Sequence, residues 1–196
     1  MVFDYSWLIG GPQGSGVDTA ANIFSRVGTK LGYHVFGKRE YHSNIKGLHS
    51  YFVVRLSDNK IRSNVNGANI MVAFDAETMI RHGLSISKNG AIIYDSSIVN
   101  TSIDEIPTIE VDHRVRLHEF FKSKNMEPKV SSIIELAKES GVNVYPISFW
   151  DALSNIADEL KRPELSRMTR MFNVLGVSFS LGVLKAPIAP LLESIE

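Results

Sequence analysis

Trp7-Leu8-Ile9-Gly10-Gly11 is a short apolar run closed by glycines, and Pro12-Gln13-Gly14-Ser15-Gly16 follows it at once. From Val17 to Leu31 the residues Val17, Ala20, Ala21, Phe24, Val27 and Leu31 then recur at helical spacing. Gly32 stands where a helix would stop. A buried strand, a glycine turn and an amphipathic helix in that order form a β–α unit. Such a unit constrains the fold more than any other feature, because a strand feeding a helix in this way needs a sheet beside it.

The remaining text repeats the theme. Tyr33 to Phe36 reads as a second strand, and a long polar stretch runs from Gly37 to Gly47. Ser50 to Leu56 is β-branched and aromatic, with Ile61–Ser63 as a strand pairing back onto it across a turn. Ile70–Phe74 and Ala91–Asp95 are continuous apolar runs of the kind buried on both faces of a parallel sheet. Asp75 or Thr78 caps a helix reaching about His82, and residues 99–111 are irregular. Lys129–Ser140 is amphipathic, Val142–Ile147 is the last strand, and helices follow around 149–161 and 165–184. The expected fold is α/β: a layered, Rossmann-like domain with a largely parallel, partly mixed sheet and flanking helices. It occupies residues 1–184. Residues 185–196, with Pro187 and Pro190 expected to break any helix, read as the start of an interdomain linker.

Composition excludes several functions. The 21 Lys+Arg balance 21 Asp+Glu, so no global field attracts nucleic acid. There is no cysteine, hence no disulfide framework, thiolate nucleophile, Cys-bound zinc or self-held iron–sulfur cluster. The six histidines are scattered without His-Glu-x-x-His spacing. No apolar run approaches the ~20 residues that span a bilayer, and the N-terminus lacks a basic region and an apolar core. A cytoplasmic protein is expected, with no membrane partner.

Three segments carry chemistry. In Gly11-Pro12-Gln13-Gly14-Ser15-Gly16 the pattern is G-x-x-G-x-G, the reverse of the dinucleotide spacing, and no acidic residue stands near position 34 for a ribose. No Gly-Lys-Ser/Thr follows either. The turn binds a phosphate or carboxylate through backbone N–H groups at a helix start, or it binds nothing. The second segment, Gly37 to Ser50, packs Lys38, Arg39, Lys46, His42 and His49 with Ser43 and Asn44 between two strands. Lys46 can present a point charge to an anion, Ser43 and Asn44 add neutral hydrogen bonds, and Arg39 pairs with Glu40 or an anion. A solvated surface loop is the alternative. At Phe74-Asp75-Ala76-Glu77-Thr78, Asp75 is a helix cap before it is an acid catalyst. His113 and His118, among Arg114, Arg116 and Glu119, form a solvated face.

Taken together, Trp7–Phe24, Gly37–Gly47 with His49-Ser50-Tyr51-Phe52, and Ala73–Thr78 resemble the gamma domain of 2-oxoacid:ferredoxin oxidoreductases. The Asn44-Ile45-Lys46-Gly47 version and the long C-terminal helix resemble the form in which gamma precedes the alpha, pyrimidine-binding domain. The resemblance implies oxidative decarboxylation of a 2-oxoacid such as pyruvate or 2-oxoglutarate with coenzyme A, giving acyl-CoA, CO2 and reduced ferredoxin. It implies thiamine diphosphate, Mg and an iron–sulfur cluster in alpha and beta partner domains or chains, and ferredoxin as electron acceptor. This chain lacks a Gly-Asp-Gly…Asn thiamine motif, and Tyr145-Pro146-Ile147-Ser148 only loosely matches the alpha domain's Tyr-Pro-Ile-Thr-Pro. The implied role is a wall of the substrate and CoA cavity, inactive alone. Lys46, Asn44 and Ser43 would face substrate, while Gly11, Gln13, Gly14, Ser15, Gly16 and Arg39 would lie near CoA. Two rivals stand beside it: an independent nucleotide-binding oxidoreductase, and a purely structural domain.

Overall fold

A computed structural model describes residues 3–12, 14–41, 49–168 and 171–195. Among them six strands make one sheet in the order β2-β3-β1-β4-β5-β6. The strands are β1 (Asp4–Gly11), β2 (His34–Tyr41), β3 (Ser50–Ser57), β4 (Ala68–Ala73), β5 (Ile86–Asp95) and β6 (Asn143–Ile147). β1, β4, β5 and β6 pair in parallel, while β3 runs antiparallel to both β1 and β2. Five strands therefore point one way and β3 the other, the expected mixed α/β sheet. The helices are α1 (Val17–Lys30), α2 (Ala76–His82), α3 (Val111–Ser123), α4 (Val130–Glu139), α5 (Phe149–Glu159), α6 (Phe172–Leu184) and α7 (Ala189–Ile195).

The strand alternation divides the core in two. Leu8, Met71 and Ile92 stand in one row across β1, β4 and β5, and pack against α2, α3 and α4. Ile9, Val72 and Ile93 form the next row on the opposite face, covered by α1, α5, α6 and α7. Central strands buried on both faces must be apolar throughout, which explains their unbroken runs. Each fully buried side chain of this size contributes ~1.5–3 kcal/mol. Trp7 stacks on Phe24 of α1 with ring centroids 4.3 Å apart, and its indole N–H donates to Ser180 Oγ of α6 at 2.8 Å. Ser180→Ala would leave that buried N–H unpartnered. An expected loss of ~1–2 kcal/mol would appear as a lower urea midpoint with an unchanged m-value, and an unchanged midpoint would show the bond to be energetically idle.

Several expectations change. β2 continues through Tyr41, so Lys38, Arg39 and Glu40 lie on a strand instead of in a polar loop. Among the described residues β2 is an edge strand, and edges tolerate such charges. Residues 61–63 form no strand, and the antiparallel pairing partner of β3 is β2. The charged face with His113 and His118 lies on the helix α3, which contributes one fully buried residue, Phe121, and so has little apolar periodicity; the irregular stretch before it holds no strand or α-helix up to Glu110. The expected helix at 165–184 is a 3-10 turn over Pro163–Arg167 followed by α6. Within 185–196, expected as the start of a linker, α7 docks on α1 through buried Leu191 and a Lys30–Glu193 ion pair at 2.9 Å. Pro190 is its second residue, a position where no intrahelical N–H is required, so proline does not break it. No helix among the described residues is long and apolar enough to cross a membrane.

Candidate functional site

The carboxyl ends of β1, β2, β4, β5 and β6 and the start of β3 share one edge of the sheet. From β1 the chain leaves through α1 toward β2, while β4, β5 and β6 build outward on the other side. The neighbours β1 and β4 thus flank a topological switch point, the place where open α/β sheets receive ligands. The glycine turn lies there, as do the two ends of the 42–48 connection and the start of α2.

β1 ends on Gly11, and Ser15 N–H donates to Pro12 O at 3.0 Å, closing a tight turn. Gly14 and Gly16 have φ of 84° and 82°, left-handed values that glycine adopts without penalty. Gly16 is the N-cap of α1 and supplies no side-chain cap, so the first N–H groups of the helix face this edge. Behind the turn, the amide of Asn173 from α6 fills the space a Cβ on Gly16 would need. Asn173 is 4% exposed, and its Oδ1 is buried without a hydrogen-bond partner among the described residues. Ser15 Oγ is likewise buried and unpartnered, 2.8 Å from where a Cβ on Gly11 would stand. Orphaned polar atoms of this kind cost ~1–3 kcal/mol each until something meets them.

Arg39 Nη2 ion-pairs with Asp18 Oδ2 at 2.9 Å, tying β2 to the first turn of α1. Lys38 pairs with Glu40 on the opposite face of the same strand. Gln13, Ser43, Asn44 and Lys46 lie outside the described residues. The structure therefore brings Gly11, Gly14, Ser15, Gly16 and Arg39 to one edge.

On the far side of β1, Asp75 caps α2 as expected, accepting from Thr78 N–H at 2.8 Å and from Thr78 Oγ–H at 2.5 Å. Burial raises its pKa above the usual carboxylate range, and the two Thr78 bonds oppose that rise. Thr78 and His49 close over Gly10: a Cβ there would meet Thr78 Oγ1 at 2.6 Å and His49 Cε1 at 3.2 Å. His49 Nε2 lies 3.1 Å from His82 Nε2, and Tyr51 packs against both rings. Burial first, then the neighbouring His49 and Arg81, push the His82 pKa down to about 3, so its ring is neutral at pH 7. Below this pair, Glu77 is buried against Arg81 at 2.7 Å and accepts from Thr108, a fully partnered network that ties α2 to residues 108–110. Thr78 and His49 lie in segments the sequence singled out, but Asn173 and the pairing of His49 with His82 were not legible in local spacing, because each meets the edge from a distant element.

The sequence profile of the pyruvate ferredoxin/flavodoxin oxidoreductase family matches residues 6–196. The alpha subunit of 2-oxoacid:ferredoxin oxidoreductase 1 from Sulfurisphaera tokodaii is 38% identical over 191 residues, covering 97% of this chain and 30% of that protein. The alpha subunit of 2-oxoacid:ferredoxin oxidoreductase 2 from Aeropyrum pernix is 33% identical over 193 residues, covering 98% and 30%. The chain thus spans about a third of the length of these relatives. In structure it is similar to the gamma subunit of keto/oxoacid ferredoxin oxidoreductase from Geobacter sulfurreducens, with TM-score 0.59 and 12% identity over 97% of this chain and 84% of that one. It is also similar to part of the 2-oxoglutarate:ferredoxin oxidoreductase from Magnetococcus marinus, with TM-score 0.51 and 19% identity over 97% and 29%. At these identities the two structures establish the fold. The profile match along nearly the whole chain establishes more: this chain belongs to the pyruvate ferredoxin/flavodoxin oxidoreductase family.

Proposed function

We propose that this chain is a gamma-type domain of a 2-oxoacid:ferredoxin oxidoreductase and forms one wall of its substrate and CoA cavity. The observation that carries the reading is convergence at the switch point: the uncapped start of α1, the glycine turn and both ends of the 42–48 connection meet at one sheet edge. The Magnetococcus relative was solved with 2-oxoglutarate, coenzyme A and succinyl-CoA bound, which fits this chemistry.

In this reading Lys46 faces the substrate's carboxylate, the distal one where the 2-oxoacid is dicarboxylic as in 2-oxoglutarate, and Ser43 and Asn44 line the same mouth. Gly11, Gln13, Gly14, Ser15 and Gly16 sit near the CoA pyrophosphate, where free helix N–H groups favour negative charge. Arg39, already paired with Asp18, orders the turn from its β2 side. The chain's own donors do not suit the other cofactors. It has no cysteine for a cluster, and its described residues contain no group of three His, Asp or Glu for Mg. Thiamine diphosphate, Mg and the iron–sulfur cluster therefore fall to alpha and beta partner domains or chains, which pass electrons to ferredoxin in the cytoplasm. No turnover is expected from this chain alone.

Lys46→Ile in the complete enzyme tests the assignment. The expected result is a KM for 2-oxoglutarate raised about ten-fold, the loss of one charge-assisted bond, with pyruvate spared. Equal loss for both substrates would remove Lys46 from the distal carboxylate. Unchanged kinetics for both would favour a domain that only orients its neighbours.

A further inference from the structure

His49 and His82 come from different elements, 33 positions apart, and the proposed function gives neither a task. His49 is the last residue before β3 and is 2% exposed. His82 ends α2, its backbone carbonyl held by Ser85 Oγ–H at 2.7 Å. The two Nε2 atoms are 3.1 Å apart, with ring centroids at 5.2 Å, so the nitrogens face each other nearly in line. Two lone pairs, or two N–H groups, would repel in that arrangement. One ring must therefore donate Nε2–H while the other accepts with a bare Nε2, its proton being on Nδ1. Among the described residues, Tyr51 of β3 flanks both rings, Arg81 and Glu77 of α2 place their charges near His82, and Lys38 and Glu40 of β2 lie beyond Tyr51. The bond holds His49 down over Gly10, at the point where the polar connection re-enters the sheet.

We propose that His82 is a positioning residue of the carboxyl-edge site: through its Nε2–Nε2 hydrogen bond it fixes His49 against the end of β1, and so sets where the chain enters β3. It touches no substrate. The proposal rests on the reading that a 2-oxoacid is bound at this edge. A residue acting in this way alters binding of substrate more than the chemical step, since the reacting groups belong to other domains.

The test uses the complete oxidoreductase carrying His82→Leu or His82→Gln. Leucine removes the bond, whereas the glutamine amide can still donate to His49. With leucine the KM for the 2-oxoacid is expected to rise about five-fold, the equivalent of one net hydrogen bond, with kcat changed less than about two-fold. Glutamine is expected to restore KM to within about two-fold of wild type. Deuterium exchange at the His49 ring C2–H, read by mass spectrometry on the same complexes, should accelerate with leucine and return with glutamine. A kcat loss at constant KM, His49 exchange unmoved by leucine, or a glutamine variant no better than leucine would each overturn the proposal. Lys46→Ile in parallel separates the two failures. If it is silent while His49 exchange still responds to His82, the substrate reading has failed and the positioning role stands. If Lys46→Ile shifts KM and His82→Leu does not, the positioning role has failed.

Discussion

Gly16→Ala is expected to lower stability by ~3 kcal/mol or more, whereas Gly14→Ala costs ~1 kcal/mol. Both residues have nearly the same left-handed φ, 82° and 84°, so both alanines meet the same backbone penalty of ~1–2 kcal/mol. Their surroundings differ. Among the described residues nothing lies within 4 Å of a Cβ at Gly14, while a Cβ at Gly16 overlaps the buried Asn173 amide. Asn173 is carried on α6 and only 4% exposed, so the clash adds an overpacking cost of ~1–3 kcal/mol. Urea unfolding of the two alanine variants measures the difference directly. Asn173→Ala combined with Gly16→Ala should recover most of the steric part and none of the φ part, a coupling of ~1–2 kcal/mol in a double-mutant cycle. Equal destabilisation at the two glycines would mean that the Asn173 contact does not restrain the turn.

That comparison also marks what was legible in the sequence. β1, the glycine turn and α1 were readable because each is encoded locally: an apolar run, two glycines that need positive φ, and a 3.6-residue period from Val17 to Leu31. The cap at Asp75 was readable for the same reason, since Thr78 stands three residues on. Elements whose support comes from elsewhere were not. β2 looked like a loop beyond Phe36 because its charged residues are held by pairing with β3, not by a periodic pattern of their own. α3 offers its neighbours little more than Phe121 and partly buried Leu117 and Phe120, too few to stand out in a charged segment. Of the candidate site, the sequence showed the turn and the polar connection but not what backs them. Asn173 is 157 positions from Gly16 and becomes its neighbour only when α6 is laid over α1, and His82 meets His49 only across the end of β1.

The histidine pair also makes stability depend on pH, with a sign that can be worked out. His82 has a folded-state pKa of about 3, below the ordinary value of 6.5. Between those values the unfolded chain binds a proton at this ring that the folded chain refuses. Its contribution is therefore complete above about pH 6.5 and is lost as the pH falls, by up to ~1.4 kcal/mol per pH unit. From pH 7 to pH 5, where most carboxylates stay ionised, the loss due to this ring is ~2 kcal/mol. His113, shifted down chiefly by its own burial and then by Arg81, acts in the same direction, so the wild-type slope alone is not specific. The difference between wild type and His82→Gln is. Glutamine keeps a donor toward His49 and cannot titrate, so the two proteins should be similarly stable at pH 7 and diverge by ~2 kcal/mol at pH 5, with the variant the more stable. Urea midpoints collected at pH 7, 6 and 5 give both curves. Parallel curves would show that the folded protein lets His82 take up its proton in the ordinary range, despite its contacts with Tyr51 and His49.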